Sequence, residues 1–442
     1  MLNVAIHTAA QQPVISTIVA AKEIIAAAIS NVLPQKAIEK FVQLKNNYLA
    51  INGATYNLKA YNNIVVIATG KAAAGMAKAI ETILGDNIST GICVTKYGHS
   101  LPLKYCSIIE AAHPIPDENS VLATASILAI VKKCDDQSLV LFLLSGGASS
   151  LMADVPNGCN LQEVQQLFKQ LVLSKASINE INVVRKKISK VKGGKLALSM
   201  PNATKHTLII SDVPNNDLST IGSGPTVIKS SVSEVSAKAI LESYYLWNNV
   251  SDNLKKEIEN ISTENEAVAL VHNKHTIIAS SELALQAAKI KAAALNYNVI
   301  SESEILNDDL PIAIEKIRAT IKNNLLKKST VLLFGGEITL QVTSNNFGGR
   351  NQHLALCLLK EVLQLNTQKA ITIAVSGTDG TDGNTQVNGA LISNKWHYNL
   401  QEMEQAIVTC SSFNFFKKFG GHIITGATQT NVMDIVIVFI TD

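Results

Sequence analysis

NIVVIATGKAAAGMAKAIETIL, residues 63–84, changes rhythm halfway along. Its first part is a continuous apolar run, Ile64 to Ala68, without the alternation of a half-solvated strand. Such a run belongs to a strand buried on both faces, the usual condition of a parallel sheet. Thr69, Gly70 and Lys71 follow, and then an alanine-rich stretch of strong helix formers. Strand, glycine turn, helix is one half of an α/β repeat.

The same plan recurs along the chain. LVLFLLSGG (residues 139–147) runs into ASSLM, and TLIISDVP (207–214) ends in a loop. TIIASSELALQAAKIKAAAL (276–295) is strand then helix, while TVLLFGGE (330–337) and ITIAVSGTDGTDG (371–383) repeat the pattern. ISTIVAAKEIIAAAISNVL (15–33) reads as a helix that precedes them all. The fold class is therefore α/β, and 442 residues exceed what one core usually fills. Two domains are expected, 1–255 and 256–442, with the first helices free to pack on the second. The first is a Rossmann-like, mostly parallel sheet. ITLQV (338–342) alternates just after TVLLFGGE, which predicts a hairpin and so a mixed sheet in the second. The polar stretch 247–270 is the expected boundary. No fixed-period repeat or low-complexity segment is present.

Hydrophobic residues make up 47% of the chain and charged residues 17%, against roughly 25% charged in an average soluble domain. This favours a large core and excludes a disordered or coiled-coil protein. A net charge of +3 leaves no broad nucleic-acid footprint. The basic run RKKISKVKGGK (185–195) has no interleaved aromatics, and fits a solvated helix end or an anion-handling loop. Six scattered cysteines form neither a disulfide framework nor a metal spacing, so reduced thiols are expected. The N-terminus lacks a basic start, and Lys22 and Glu23 interrupt its apolar stretch. A cytoplasmic protein without a membrane or nucleic-acid partner is the expectation. The sequence sets no oligomeric state, and a homo-oligomer stays open.

Open α/β sheets bind ligands at the carboxyl ends of their strands, and here those ends are glycine loops. Backbone N–H groups clustered at helix N-termini suit an anion such as phosphate. The loops supply Gly70, then Ser145, Gly146, Gly147 and Ser149, then Gly222 and Gly224. Further on come Gly335, Gly336 and Glu337, then Gly348, Gly349 and Asn351. None has the P-loop spacing or the dinucleotide fingerprint. Lys71 and Arg350 stand at helix starts, where the macrodipole disfavours a cation unless an anion is near. The Arg350 guanidinium can hold a carboxylate or phosphate through two parallel hydrogen bonds. Asp212, Asp217, Glu337, Asp379 and Asp382 lie on the same kind of loop. Phosphoryl transfer asks such carboxylates to hold magnesium and to orient the attacking hydroxyl, whereas turn chemistry would also place Asp beside Gly. His99, His113 and His353 show no zinc spacing, and SGGASS is not G-x-S-x-G.

Taken in order, these loops resemble the MOFRL-type glycerate 2-kinases, some of whose members carry the name hydroxypyruvate reductase. The resemblance runs through ATGKAAAGMAKAIE, AAHPIPDENS, LLSGGASSLM and INVVRKKISKVKGGKLA. It continues in SDVPNNDLSTIGSGPT, GGEITLQV, GGRNQHLAL, SGTDGTDGNTQVNGA and TGATQTNVMDIVIV. It implies a two-domain α/β enzyme with its active site in the cleft between domains, transferring the γ-phosphoryl of ATP to D-glycerate with magnesium. The product implied is 2-phosphoglycerate. The family's active-site lysine and arginine correspond to Lys71 and Arg350, and the aspartate of its S-D-V motif to Asp212. On this view Lys71 and the glycine loops hold the phosphoryl group, and Asp379 or Asp382 holds magnesium. Arg350 takes the glycerate carboxylate or the moving phosphoryl, and Asp212 orients or deprotonates the hydroxyl. The chain departs from the pattern at Ala148, Ala427 and Gln429, where glycine or a G-P-T-G-T-N-like run is usual. Two other readings remain at this stage: an NAD(P)-dependent hydroxypyruvate reductase, and a non-catalytic protein that binds ATP or a hydroxy acid.

Overall fold

The structure is a computed structural model that describes residues 2–8, 15–228, 235–260, 272–302, 305–340 and 346–442. The chain forms two compact units, one of residues 37–278 and one that joins Met1–Lys36 to Ala279–Asp442. The second unit is thus discontinuous in sequence.

In the 37–278 unit the strand Asn63–Thr69 pairs in parallel with Ser138–Ser145 on one side and Thr90–Lys96 on the other. Cys106–Ala111 extends the sheet beyond Thr90–Lys96, and Thr204–Ile210 extends it beyond Ser138–Ser145, again in parallel. Asn273–Ala279 closes that edge. Ser138–Ser145 is buried along its whole length, as its unbroken apolar run requires. The core gathers Val65, Ile67, Val94, Val140, Phe142 and Leu144 from the strands with Ile127, Leu151 and Leu196 from the covering helices. An antiparallel meander, Val42–Lys45, Tyr48–Ile51 and Ala54–Asn57, stands apart from this sheet.

A separate apolar cluster joins the helices Leu161–Leu173, Ile178–Ile188, Ala237–Ser243 and Asp252–Glu259. The last of these falls inside the polar stretch expected to mark the boundary. Its charged residues face outward, while Leu254 and Ile258, one turn apart, are buried. The expected break at 255/256 therefore cuts an amphipathic helix, and the units instead divide after Ile278. Residues 261–270 of that stretch lie outside the described residues.

The other unit holds a seven-stranded sheet in the order Ala5–Thr8, Gly420–Ile424, Gly389–Ser393, Ala370–Gly377, Asp434–Thr441, Thr330–Gly336, Asn298–Ser301. It is mixed, but not through the expected hairpin. The C-terminal strand Asp434–Thr441 enters the middle and runs antiparallel to both neighbours, while Asn298–Ser301 lies parallel to Thr330–Gly336. Both edges of Thr330–Gly336 are thereby occupied, so the chain after it has no edge to return to. Thr339 instead bridges to Asp309, and Gln341 and Val342 lie outside the described residues. The helix Ile15–Asn31 packs on Ser281–Ala294. Among the described residues no single helix is long and apolar enough to cross a membrane. The six cysteines are free.

Candidate active site

In the 37–278 unit two strand-end loops press together. Gly70, at φ +128°, leaves the chain so close to the next loop that a Cβ would lie 2.1 Å from Ser145 Oγ and 2.5 Å from its carbonyl oxygen. The Lys71 N–H donates to the Gly146 carbonyl at 2.9 Å, and the Ala72 N–H donates to Ser145 Oγ at 3.1 Å. The helix itself begins at Ala73, so Lys71 stands just before it and not within its first turn. Asp212 packs against the same loop: a Cβ on Gly146 would lie 1.7 Å from its Oδ2. Burial raises the Asp212 pKa and the Lys71 charge pulls it back. No ion pair of Lys71 is found among the described residues.

His113 and Lys71 both border Gly147, at 3.0 Å and 3.2 Å from where its Cβ would be. Burial, with the Lys71 charge second, lowers the His113 pKa to about 4, so the ring is neutral at pH 7. His99 is lowered too, by burial first and then by Lys96 and Lys71. The sequence singled out these two histidines only as metal candidates. They serve instead as neutral walls beside the lysine. Ser149 Oγ lies 2.8 Å from Ser223 Oγ, and Ser150 donates to the Pro114 carbonyl at 2.6 Å. Gly222 and Gly224 answer to packing, since side chains there would meet Leu144 and the Ser219 backbone. Ala148 sends its methyl group into the sheet's core, so this departure from the family pattern does not crowd the loop.

The second cation belongs to the other unit and is far less free than its sequence implied. The helix Arg350–Gln364 starts after Gly349, and the Asp382 carboxylate caps it. Asp382 accepts from the Asn351 and Gln352 backbone N–H groups at 3.0 and 2.9 Å, and from Gln352 Nε2 at 3.0 Å. Gly349 admits this cap: a Cβ would lie 2.2 Å from Asp382 Cγ. Burial pushes the Asp382 pKa up to about 6, against the pull of these donors. Both oxygens are engaged by the helix start. Asp379 is half-buried and its Oδ1 accepts from the Thr381 N–H at 3.1 Å.

Asp434, which the sequence reading passed over, organises this end of the sheet. It heads the central strand, opposite Gly336 on one side and Gly377 on the other. Its carboxylate receives Arg350 Nε at 2.6 Å and Nη2 at 3.2 Å, and Asn351 Nδ2 at 3.0 Å. Arg350 Nη1 pairs with Glu337 at 2.8 Å. Burial lowers the Arg350 pKa, but Asp434 above all, with Glu337 and Asp382, raises it well beyond the ordinary value. Three of the five guanidinium N–H groups are thus engaged by partners among the described residues. Asn351 Oδ1 is buried without a partner. Gly335 and Gly336 face Ser281 and the Leu306 backbone, and Gly348 faces Ser412. One signal for Asp434 existed in the sequence: it is the lone acid at the head of an otherwise apolar strand, VMDIVIV. Among the described residues no cluster of three or more His, Cys, Asp or Glu side chains could cage a metal.

A family described as a domain of unknown function, DUF4147, matches residues 20–259, and the MOFRL family matches residues 330–434. A glycerate 2-kinase of Pyrococcus horikoshii is 36% identical over 92% of this chain and 94% of its own length. A D-glycerate 2-kinase of Thermotoga maritima is 34% identical over 94% of this chain and 96% of its own. The crystal structure of a glycerate kinase from Thermotoga maritima superposes with a TM-score of 0.84 at 34% identity, covering 96% of this chain and all of that one.

Proposed function

The chain belongs to the MOFRL-type glycerate 2-kinases, and from that premise we propose that it transfers the γ-phosphoryl group of ATP to D-glycerate, giving 2-phosphoglycerate. The observation that carries the reading is Lys71: a cation at a helix mouth, wedged between two glycine loops, with Asp212 against the same loop.

Phosphoryl transfer rests on positioning and on stabilising charge spread over the equatorial oxygens. Lys71 and the N–H groups around Gly146 and Gly147 provide that stabilisation. The glycerate 2-hydroxyl oxygen attacks the γ-phosphorus, the bond to the bridging oxygen of ADP breaks, and the hydroxyl proton leaves. Asp212 is the group to orient that hydroxyl and take its proton, since burial has moved its affinity for a proton upward. In the other unit Arg350, fixed in direction by Asp434 and Glu337, is the candidate group for an anion such as a carboxylate.

Magnesium needs only one or two protein carboxylates when nucleotide phosphates complete its shell. Asp379 fits that requirement, since one backbone N–H is its only side-chain bond among those described, and the unpartnered Asn351 Oδ1 is an oxygen of the right hardness. When bound, the ion would neutralise charge on the phosphate oxygens.

The test is an assay with ATP, magnesium and D-glycerate, with the product identified by phosphorus NMR. A 2-phosphoglycerate resonance is expected. Absence of ADP formation, or oxidation of a reduced nicotinamide by hydroxypyruvate in its place, overturns the reading.

A further inference from the structure

The basic run 185–195, read from sequence as a solvated helix end or an anion-handling loop, is partly buried. Arg185 closes the helix Ile178–Ile188, and its guanidinium lies 5.1 Å from the ring centre of Phe168. It donates to Asn182 Oδ1 at 2.9 Å. Lys192 is only 3% exposed and donates to the Met152 carbonyl at 2.7 Å. Asp154, at 3.8 Å from Lys192, also accepts from Ser189 Oγ and from the Lys190 N–H. Among the described residues it is the single carboxylate lining this surface, and Arg185 has no carboxylate of its own. Burial alone lowers the Arg185 pKa to about 10, and it lowers Lys192 to about 8 against the pull of Asp154.

These groups line a cavity of about 950 Å³ that lies wholly within the 37–278 unit. Its walls are apolar, with Pro116, Val164, Phe168 and Val172 among them. A cavity of this size with few, convergent polar groups is the usual form of a small-molecule site. A half-buried guanidinium without a counter-charge is less favourable in the empty protein than once an anion arrives. A chain of hydrogen bonds leads from Arg185 to Ser149, just after the Ser145–Gly147 loop on which Lys71 rests. It passes through Asn182 Oδ1, then Ser223 Oγ at 3.1 Å, then Ser149 Oγ at 2.8 Å. Ser149 itself lines the cavity.

We propose that this cavity is the nucleotide site, with Arg185 binding the nucleotide's phosphates on the side away from Lys71 and the apolar walls receiving the base. The inference rests on the kinase reading and adds to it a site and a residue. Lys192 supports the same anion from the cavity floor. Asn182 and Ser223 are positioning residues that hold Arg185 and Ser149 in one frame.

The test is calorimetric titration of ATP, and separately of adenosine, into the full chain, followed by steady-state kinetics. Two variants serve, Arg185→Met and Val172→Trp. The first replaces a half-buried charge by an apolar side chain of similar reach, a change such sites often tolerate. The second adds bulk at a position 62% exposed on the cavity rim. Losing a charge-assisted hydrogen bond makes Arg185→Met bind ATP roughly tenfold more weakly, with adenosine and the KM for glycerate changed by less than about twofold. Val172→Trp is expected to weaken ATP and adenosine alike. If ATP binding is unchanged in Val172→Trp, or in a folded Arg185→Met, or if the KM for glycerate moves instead, the assignment is overturned. Turnover with an unaltered KM for ATP in both variants sinks this site and leaves the kinase reading standing. Arg185-dependent ATP binding without phosphoryl transfer to glycerate supports the site and sinks the kinase reading.

Discussion

Lys71 and Arg350 are both cations at helix starts, yet they stand in opposite electrostatic conditions. Lys71 has Asp212 and two histidines lowered chiefly by burial near it and no ion pair among the described residues, so its charge is available. Lys71→Met should lower kcat/KM on the order of 10³-fold, as removal of a transition-state cation does, while the urea midpoint stays in place. Arg350 is structural as well. Its loss leaves Asp434 buried and unpaired, which costs about 3 kcal/mol, so Arg350→Ala should lose both activity and stability. Adding Asp434→Asn removes the orphaned charge. Urea unfolding of the double variant should return toward the parent while phosphoryl transfer stays absent. Recovery of activity along with stability would show that Arg350 acts only through the fold.

At the level of the element, the helix Arg350–Gln364 depends on a residue that its own sequence does not contain. Asp382 receives three N–H donors at its start. Asp382→Ala should destabilise the protein by about 2–4 kcal/mol, since a buried carboxylate cap exceeds the usual surface value. Thermal unfolding would show it. A variant that kept its melting temperature while its magnesium dependence changed would return Asp382 to the metal. This cap also marks where reading the sequence stops. TGKAAAG and SGGASS were legible because apolar run, glycine and helix former are local signals. The pairs Arg350–Asp434 and Asn351–Asp382 were not, because each joins loops whose meeting is set by strand order. Nothing in GGRNQHLAL shows that a strand more than eighty residues later enters the sheet beside it. For Arg185 the sequence left two readings, a solvated helix end and an anion-handling loop, and the apolar phase of Val184, Ile188 and Val191, all buried, was the local signal against full solvation.

Across the whole molecule, both units carry a buried histidine kept neutral. His206 lies between Tyr56 and Thr276, at 2.8 Å from each hydroxyl, and burial lowers its pKa to about 4. Burial lowers His422 to about 4 as well. A histidine whose folded pKa lies below its unfolded value of about 6.5 contributes stability that is complete above that pH. The contribution is withdrawn as the pH falls through about 6.5 towards 4, where the unfolded chain binds a proton that the folded chain refuses. Melting temperature should therefore decline over that interval, and His206→Gln should flatten the part of the decline that belongs to its unit.

The discontinuous unit has a consequence for how the protein is made. The strand Ala5–Thr8 finds its partner in Gly420–Ile424, and the helix Ile15–Asn31 packs on Ser281–Ala294. The helix Ile15–Asn31 must wait for its partner until the entire 37–278 unit has been synthesised. At roughly 5–20 residues per second that delay is on the order of tens of seconds. Throughout it, Ile24, Ile25, Ala28 and Ile29, all fully buried at the end, have no native surface to cover them. A nascent chain with this wiring has its greatest need of a chaperone at the helix Ile15–Asn31, during the synthesis of the unit that follows it.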